Sequence, residues 1–354
     1  MVRALPVTLY VSKFPPSSSG IALYASVFEA VLGRGRRVRR LPAPASPRLS
    51  QSFASAIRGF AAGLGTNLSD VDDIHVELSG RALFEFYFCV GLTLRPSAPG
   101  FDVTCHDSPA LVGPAALFRE LDRKGLRRAG VGLSRLLGPP LERRVLRHAA
   151  NVWTLSNAGA RSLEHRYHAR VTALPHVVDS PALPIKDRHV FVPGPIHNPD
   201  PLLDVIGNLE STWPMVVGAC SQPAERAIRA AVGERFPIEF TGFLDEAALL
   251  EEFAAAAVVL RVRGKEETGN SLAASGPLCW AVSRGCVCVT DDVRAGAAEL
   301  ASKGLVIQTD DLAPALDAAI AGYREEDSQR VATEAEAALG VGTVASLRAA
   351  LKRA

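Results

Sequence analysis

The stretch from Ala254 to Leu300 constrains this chain more than any other. The apolar run Ala257 to Leu260 reads as a strand, followed by a charged loop holding Arg261, Arg263, Lys265, Glu266 and Glu267. The small polar run Thr268-Gly269-Asn270-Ser271 then opens a helix expected to end near Gly285, and Val287 to Thr290 is a second strand. A strand feeding a loop of glycine and hydroxyl residues at a helix N-terminus makes an anion site, because unpaired N–H groups and the helix dipole both point at the loop. Two arginines and a lysine beside it suit a diphosphate, and the two glutamates suit sugar or ribose hydroxyls.

The same alternation runs through the rest of the second half. Strands are expected at His189–Val192, Met215–Gly218, Ile238–Thr241 and Leu305–Ile307, with helices at Leu202–Leu209, Ala224–Val232 and Asp245–Ala255. Asp311–Tyr323 and Ser328–Ala354 read as helical, and the glycines at 340 and 342 mark a helix break. Alternation of this kind means a mainly parallel sheet covered by helices.

In the first half, Pro6–Ser12 is an opening strand, and its loop ends at Ser19 and Gly20. The next helix carries Ile21, Tyr24, Phe28 and Val31 at helical spacing. Ile74–Leu78 is a strand on which His75 and Glu77 share one face, since side chains alternate. Phe101–Cys105 is another, and His106-Asp107 leaves its carboxyl end. Ligands of open α/β sheets bind there, so His106 and Asp107 are the catalytic candidates of this half. Leu117–His148 is expected to be helical and strongly basic.

Arg261, Glu267-Thr268-Gly269-Asn270-Ser271, Gly285 and Val287-Cys288-Val289-Thr290-Asp291 together resemble the donor motif of retaining glycosyltransferases of family 4. Ile74–Leu78, His106-Asp107 and Pro175–Asp179 resemble that family's first-domain strand exits, in the same order. The resemblance implies a GT-B fold: two Rossmann-like, doubly wound α/β domains facing across a cleft. It implies an acceptor-side domain at residues 1–180, a nucleotide-sugar domain at 181–330, and a C-terminal helix at 331–354 that crosses back to the first domain. The reaction implied is sugar transfer from a nucleotide sugar with retention at the anomeric carbon, with no metal or other cofactor. The donor would be held by Ser19, Gly20, Arg261, Lys265, Glu267, Thr268, Gly269, Asn270 and Ser271, with His106 touching the donor sugar. Two departures stand out. The family's second glutamate, separated from the first by seven residues, has no counterpart, because no carboxylate lies between Thr268 and Thr290. The loop Gly194–Asp200 also carries neither the Arg nor the Lys that usually grips the diphosphate, so either that task falls to Arg261, Arg263 or Lys265 or the donor is held differently.

Charge divides the chain as well. Residues 1–180 hold 23 Lys and Arg against 13 Asp and Glu, whereas the remainder holds 16 against 24. The excess gathers in Arg34–Arg40 and Arg119–Arg147, which suits an anionic or membrane-associated acceptor; no nucleic-acid partner is expected. No apolar run reaches membrane-spanning length, and the six cysteines form no CxxC pair, so the expected location is cytoplasmic, peripheral at the inner membrane face. GxxxxGK[ST], GxSxG and HExxH are absent, and the glycine fingerprint of a nicotinamide oxidoreductase is missing. The alternative from another class is a catalytically silent GT-B-like protein that binds a nucleotide sugar or scaffolds a partner. Released nucleotide separates it from a transferase.

Overall fold

A computed structural model of the protein describes residues 5–15, 20–44, 53–79, 83–106, 127–263, 272 and 274–352. The chain folds as two compact units. Residues 1–175, 272–274 and 344–354 make the first, and 176–271 with 275–343 make the second.

In the first unit the described elements run β1 (Val7–Ser12), α1 (Gly20–Leu32), β2 (Arg37–Pro42), α2 (Phe53–Gly65), β3 (Asp73–Leu78), α3 (Leu83–Leu92), β4 (Phe101–Cys105), α4 (Arg127–His148), β5 (Ala149–Thr154), α5 (Asn157–Tyr167) and β6 (Val171–Ala173). All six strands are parallel, in the order β2-β1-β3-β4-β5-β6. The chain starts in the middle of the sheet and works outward both ways, so the switch point lies between β1 and β3, where an open sheet leaves a crevice at its carboxyl edge. The basic helix begins at Arg127 among the described residues; the expected turn from 117 to 126 lies outside them. Ser156 caps α5 as a residue with a free hydroxyl should, its Oγ accepting from Gly159 N at 3.0 Å.

The two faces of this sheet differ in chemistry. One carries Leu9, Val11, Ile74, Val76, Leu78, Phe101, Val103, Cys105 and Val152, packed against apolar residues of α3, α4 and α5. The other carries the intervening residues, and register sets them in rows: Tyr10 beside His75, His75 beside Asp102, Asp102 beside Asn151, and Glu77 beside Thr104. Tyr10, His75, Glu77, Asp102 and Thr104 are all buried. Buried parallel strands are usually apolar on both faces, because an unpaired polar group costs several kcal/mol away from water. Here much of the polar face is satisfied internally, although Ser12 Oγ and His75 Nδ1 have no hydrogen-bond partner among the described residues. At its amino end, Arg348 and Lys352 of the C-terminal helix hold Asp102 at 2.7 and 2.5 Å, Lys352 reaches Asp73 at 3.1 Å, and Asn151 donates to Asp102 at 2.7 Å.

The second unit runs β7 (Asp187–Val192), α6 (Asp200–Asn208), β8 (Met215–Val217), α7 (Gln222–Val232), β9 (Ile238–Phe240), α8 (Glu246–Ala255), β10 (Ala256–Arg261), α9 (Gly276–Ser283), β11 (Val287–Thr290), α10 (Ala295–Ser302), β12 (Ile307–Gln308), α11 (Leu312–Gly322) and α12 (Glu325–Leu339). The helix α13 (Val341–Leu351) follows the break at Gly340. Its parallel sheet is ordered β12-β11-β10-β7-β8-β9, the doubly wound arrangement with its switch point between β7 and β10. β10 is apolar and fully buried from Ala256 to Leu260, and the core forms around it from Val190, Val192, Ile206, Val217, Val289 and Leu316.

The helix before β11 corrects the expectation. It starts at Gly276, with Ser275 as its N-cap, later than expected; the run Thr268–Ser271 lies outside the described residues. Pro277 explains the late start: proline lacks an N–H and fixes φ, which favours the first turn of a helix. Gly285 ends the segment as expected. Its φ is +76°, and a Cβ there would sit 2.6 Å from the carbonyl oxygen of Ser328, so only glycine fits.

Candidate functional site

At the carboxyl edge of the first sheet, three strands converge on one carboxylate. Glu77 Oε1 accepts from the Tyr10 hydroxyl at 2.9 Å and lies 3.2 Å from His75 Nε2; Glu77 Oε2 lies 2.8 Å from His106 Nε2. His75 Nε2 is also 2.9 Å from Thr104 Oγ1. His106 is the residue just past β4, tied back to β3 by its N–H donating to Leu78 O at 2.8 Å. Its ring meets Tyr24 of α1 edge to face at 4.8 Å, while Phe28 packs on His75 at 4.9 Å. Helix α1 thereby covers the polar face with aromatic rings, and the spacing of Tyr24 and Phe28 reflects one turn of helix.

Two buried glutamates at this edge sit in opposite states. Burial pushes the Glu77 carboxyl up, but the hydrogen bonds and charges of His106 and His75 outweigh it and hold the group at about 2, so it is ionised. Glu85, in the first turn of α3, is pushed up to about 7 by burial, which the nearby Lys13 ammonium offsets only in part. Among the described residues its Oε2 has no hydrogen-bond partner. A carboxyl poised near neutrality is able to take or give a proton.

The second unit places arginines at strand exits. Arg261 ends β10, and its Nη1 donates to Pro193 O at 3.0 Å, which ties together the exits of β7 and β10 at the switch point. Thr290 Oγ1 donates to Arg261 O at 2.8 Å, and Arg263 N donates to Asp291 Oδ1 at 2.7 Å. Arg294 was not singled out from sequence. It grips Asp292 with Nε at 2.8 and 2.9 Å from the two carboxylate oxygens, and its Nη2 reaches Ser275 Oγ at 3.2 Å. Burial raises the Asp292 carboxyl, but the Arg294 guanidinium and the field of Arg263 bring it below its ordinary value. Asp291 and Asp292 thus bind their own unit's donors.

Of the residues expected at the site, His106 and Arg261 stand at carboxyl edges, each in its own unit, and Gly20 opens α1. Ser19, Asp107, Lys265, Glu267, Thr268, Gly269, Asn270 and Ser271 lie outside the described residues. Glu77, Glu85 and Arg294 were missed as functional groups. For Glu77 a signal existed, since polar residues alternate with apolar ones in Leu9–Ser12, Ile74–Leu78 and Phe101–Cys105 alike. The basic run at β2 is largely engaged within its own unit: Arg36 faces Asp73, Arg39 faces Asp70 and Arg40 faces Glu29.

No protein-family model and no curated protein matches the sequence. Solved structures do match along its whole length. AviGT4, a glycosyltransferase involved in avilamycin A biosynthesis, aligns over 98% of this chain and 97% of its own at 15% identity and a TM-score of 0.59. An alpha-glucosyltransferase in complex with UDP-glucose and DNA aligns over 99% and 100% at 10% identity and a TM-score of 0.64. HepE of Anabaena, in complex with UDP, aligns over 98% and 99% at 13% identity and a TM-score of 0.59. The fold is GT-B. In GT-B terms the first unit is the amino-terminal Rossmann-like domain and the second the carboxyl-terminal one. Among the described residues no helix is long and apolar enough to cross a membrane.

Proposed function

We propose that this protein is a glycosyltransferase that moves a sugar from a nucleoside diphosphate donor to an acceptor, with retention at the anomeric carbon. The observation that carries this reading is full-length likeness to sugar-transfer proteins, two of them solved with UDP or UDP-glucose, which makes UDP-sugars the first donors to test. The chemistry at the strand exits agrees. A departing diphosphate must be met by positive charge, and Arg261 and Arg263 stand where β10 ends, on the sequence side of Lys265 and the amides of Thr268–Ser271. Glu267 is assigned to sugar or ribose hydroxyls, and His106, with Asp107 beside it, to the reacting sugar. Retention rests on the sequence resemblance to family 4 and needs no side-chain nucleophile if the leaving phosphate takes the acceptor proton. Metal independence belongs to the same proposal, and undiminished turnover in EDTA is its expected mark.

Incubation of the purified protein with a panel of nucleotide sugars tests the reading. Slow release of free nucleotide from one donor is expected, and an acceptor screen with that donor should yield a product whose anomeric configuration by NMR equals the donor's. No nucleotide released from any donor, together with no nucleotide binding, would overturn it. The surplus of positive charge in residues 1–180 supports an anionic or membrane-surface acceptor. Co-sedimentation with anionic but not neutral vesicles, abolished by high salt, is the expected outcome.

A further inference from the structure

We propose that Glu77 is a positioning residue for His106: it fixes Nε2 as the N–H nitrogen and leaves Nδ1 as the single nitrogen available to the substrate. The inference rests on the reading of His106 as a group that touches the reacting sugar. The geometry is specific. The Glu77 side chain has no solvent exposure, and its Oε2 lies 2.8 Å from His106 Nε2. An ionised carboxylate only accepts hydrogen bonds, so at this distance the imidazole must donate from Nε2.

The rest of the network makes Glu77 a fixed anchor. Its other oxygen takes the Tyr10 hydroxyl and faces His75, so β1 and β3 both hold the carboxylate in place before it meets His106. Tyr24 sets the ring plane from the other direction, edge to face at 4.8 Å and 89°. A histidine whose second nitrogen is held by a buried carboxylate keeps one tautomer and one ring orientation, which is how outer residues commonly prepare histidines for chemistry. Beyond Glu77, His75 stands in register with Asp102, itself gripped by Arg348 and Lys352, which fixes the neighbouring strand at its amino end.

Two measurements test the proposal, and they fail independently. In protein labelled with 15N-histidine, with His106 assigned by the signal lost in His106→Ala, the imidazole should show a protonated Nε2 and an unprotonated Nδ1 in mildly alkaline buffer. Nδ1–H, or an average of both tautomers, would overturn the proposal whether or not the protein proves to be a transferase. With a donor in hand, Glu77→Gln should lower kcat by about 100-fold while the donor KM stays within about twofold, because the amide no longer dictates which nitrogen carries the proton. The double variant with His106→Ala should be no slower than His106→Ala alone. Wild-type kcat in a folded Glu77→Gln variant would sink the inference. If that variant fails to fold, the tautomer of the wild-type protein decides. Absence of turnover with every donor would count against the transfer reading and leave the tautomer measurement to judge Glu77.

Discussion

The two sheets carry their polar chemistry in different places. In the first unit it lies on a strand face: Tyr10, His75, Glu77, Asp102 and Thr104 are buried, and strand register fixes which meets which. In the second unit the central strand is apolar and buried from Ala256 to Leu260, and the charged groups stand beyond it at Arg261, Arg263, Asp291, Asp292 and Arg294. A constellation built on strands is held more tightly than one built on loops. Under the proposed function the difference becomes a division of labour, with a strand-held group for the reacting sugar in one unit and strand-exit cations for the donor in the other.

The largest expected effect separates the two regions by stability. Glu77→Ala leaves the Tyr10 hydroxyl and two imidazoles without their buried acceptor and should cost roughly 3–5 kcal/mol, whereas Arg330→Ala, at an exposed pair on α12 of the second unit, should cost about 1 kcal/mol or less. Urea midpoints for the two variants check this. Equal losses would mean that the polar strand face is no more demanding than an exposed helix ion pair.

Acidity sharpens the comparison within the first unit. The Glu77 carboxyl falls from an ordinary 4.5 to about 2 on folding, so the stability it confers is complete above 4.5 and disappears as pH drops to about 2. Glu85 has the reverse sign. Its carboxyl rises from 4.5 to about 7, so its contribution is complete below 4.5 and is lost as pH climbs through about 7. Each is on the order of 3 kcal/mol, given 1.36 kcal/mol per unit. Denaturation across that range should show Glu85→Gln flattening the neutral side while the acidic fall persists. An unchanged neutral side in Glu85→Gln would refute the assignment. The smallest effect belongs to the surface: Arg39→Ala, which removes an exposed pair to Asp70, should shift stability by less than about 1 kcal/mol.

Much of the fold was legible because it rests on short-range signals. Apolar strands bounded by helical spacing located β10 and β11 within a residue, and Gly285 marked a turn that only glycine can make. His106 was legible because it follows a strand at the edge where such sheets bind ligands. Its partner was not. Glu77 lies 29 residues earlier, and only the register of β3 against β4 brings the two carboxyl ends together. Glu85 lies within the apolar run Ala82–Leu94, and a carboxyl's isolation depends on what surrounds it in three dimensions. The start of α9 falls later than the hydroxyl run implied because Pro277 favours the first turn of the folded helix.

The division of labour itself is tested most directly by nucleotide affinity, measured by calorimetry with UDP on the wild type, Arg261→Ala and His106→Ala. Charge-assisted hydrogen bonds to phosphate are worth about 1.5–3 kcal/mol, so Arg261→Ala should weaken binding by about 10-fold or more, while His106→Ala should leave it within about twofold of wild type. Unchanged affinity in Arg261→Ala, or a loss confined to His106→Ala, would contradict a donor site at the β10 exit of the second unit.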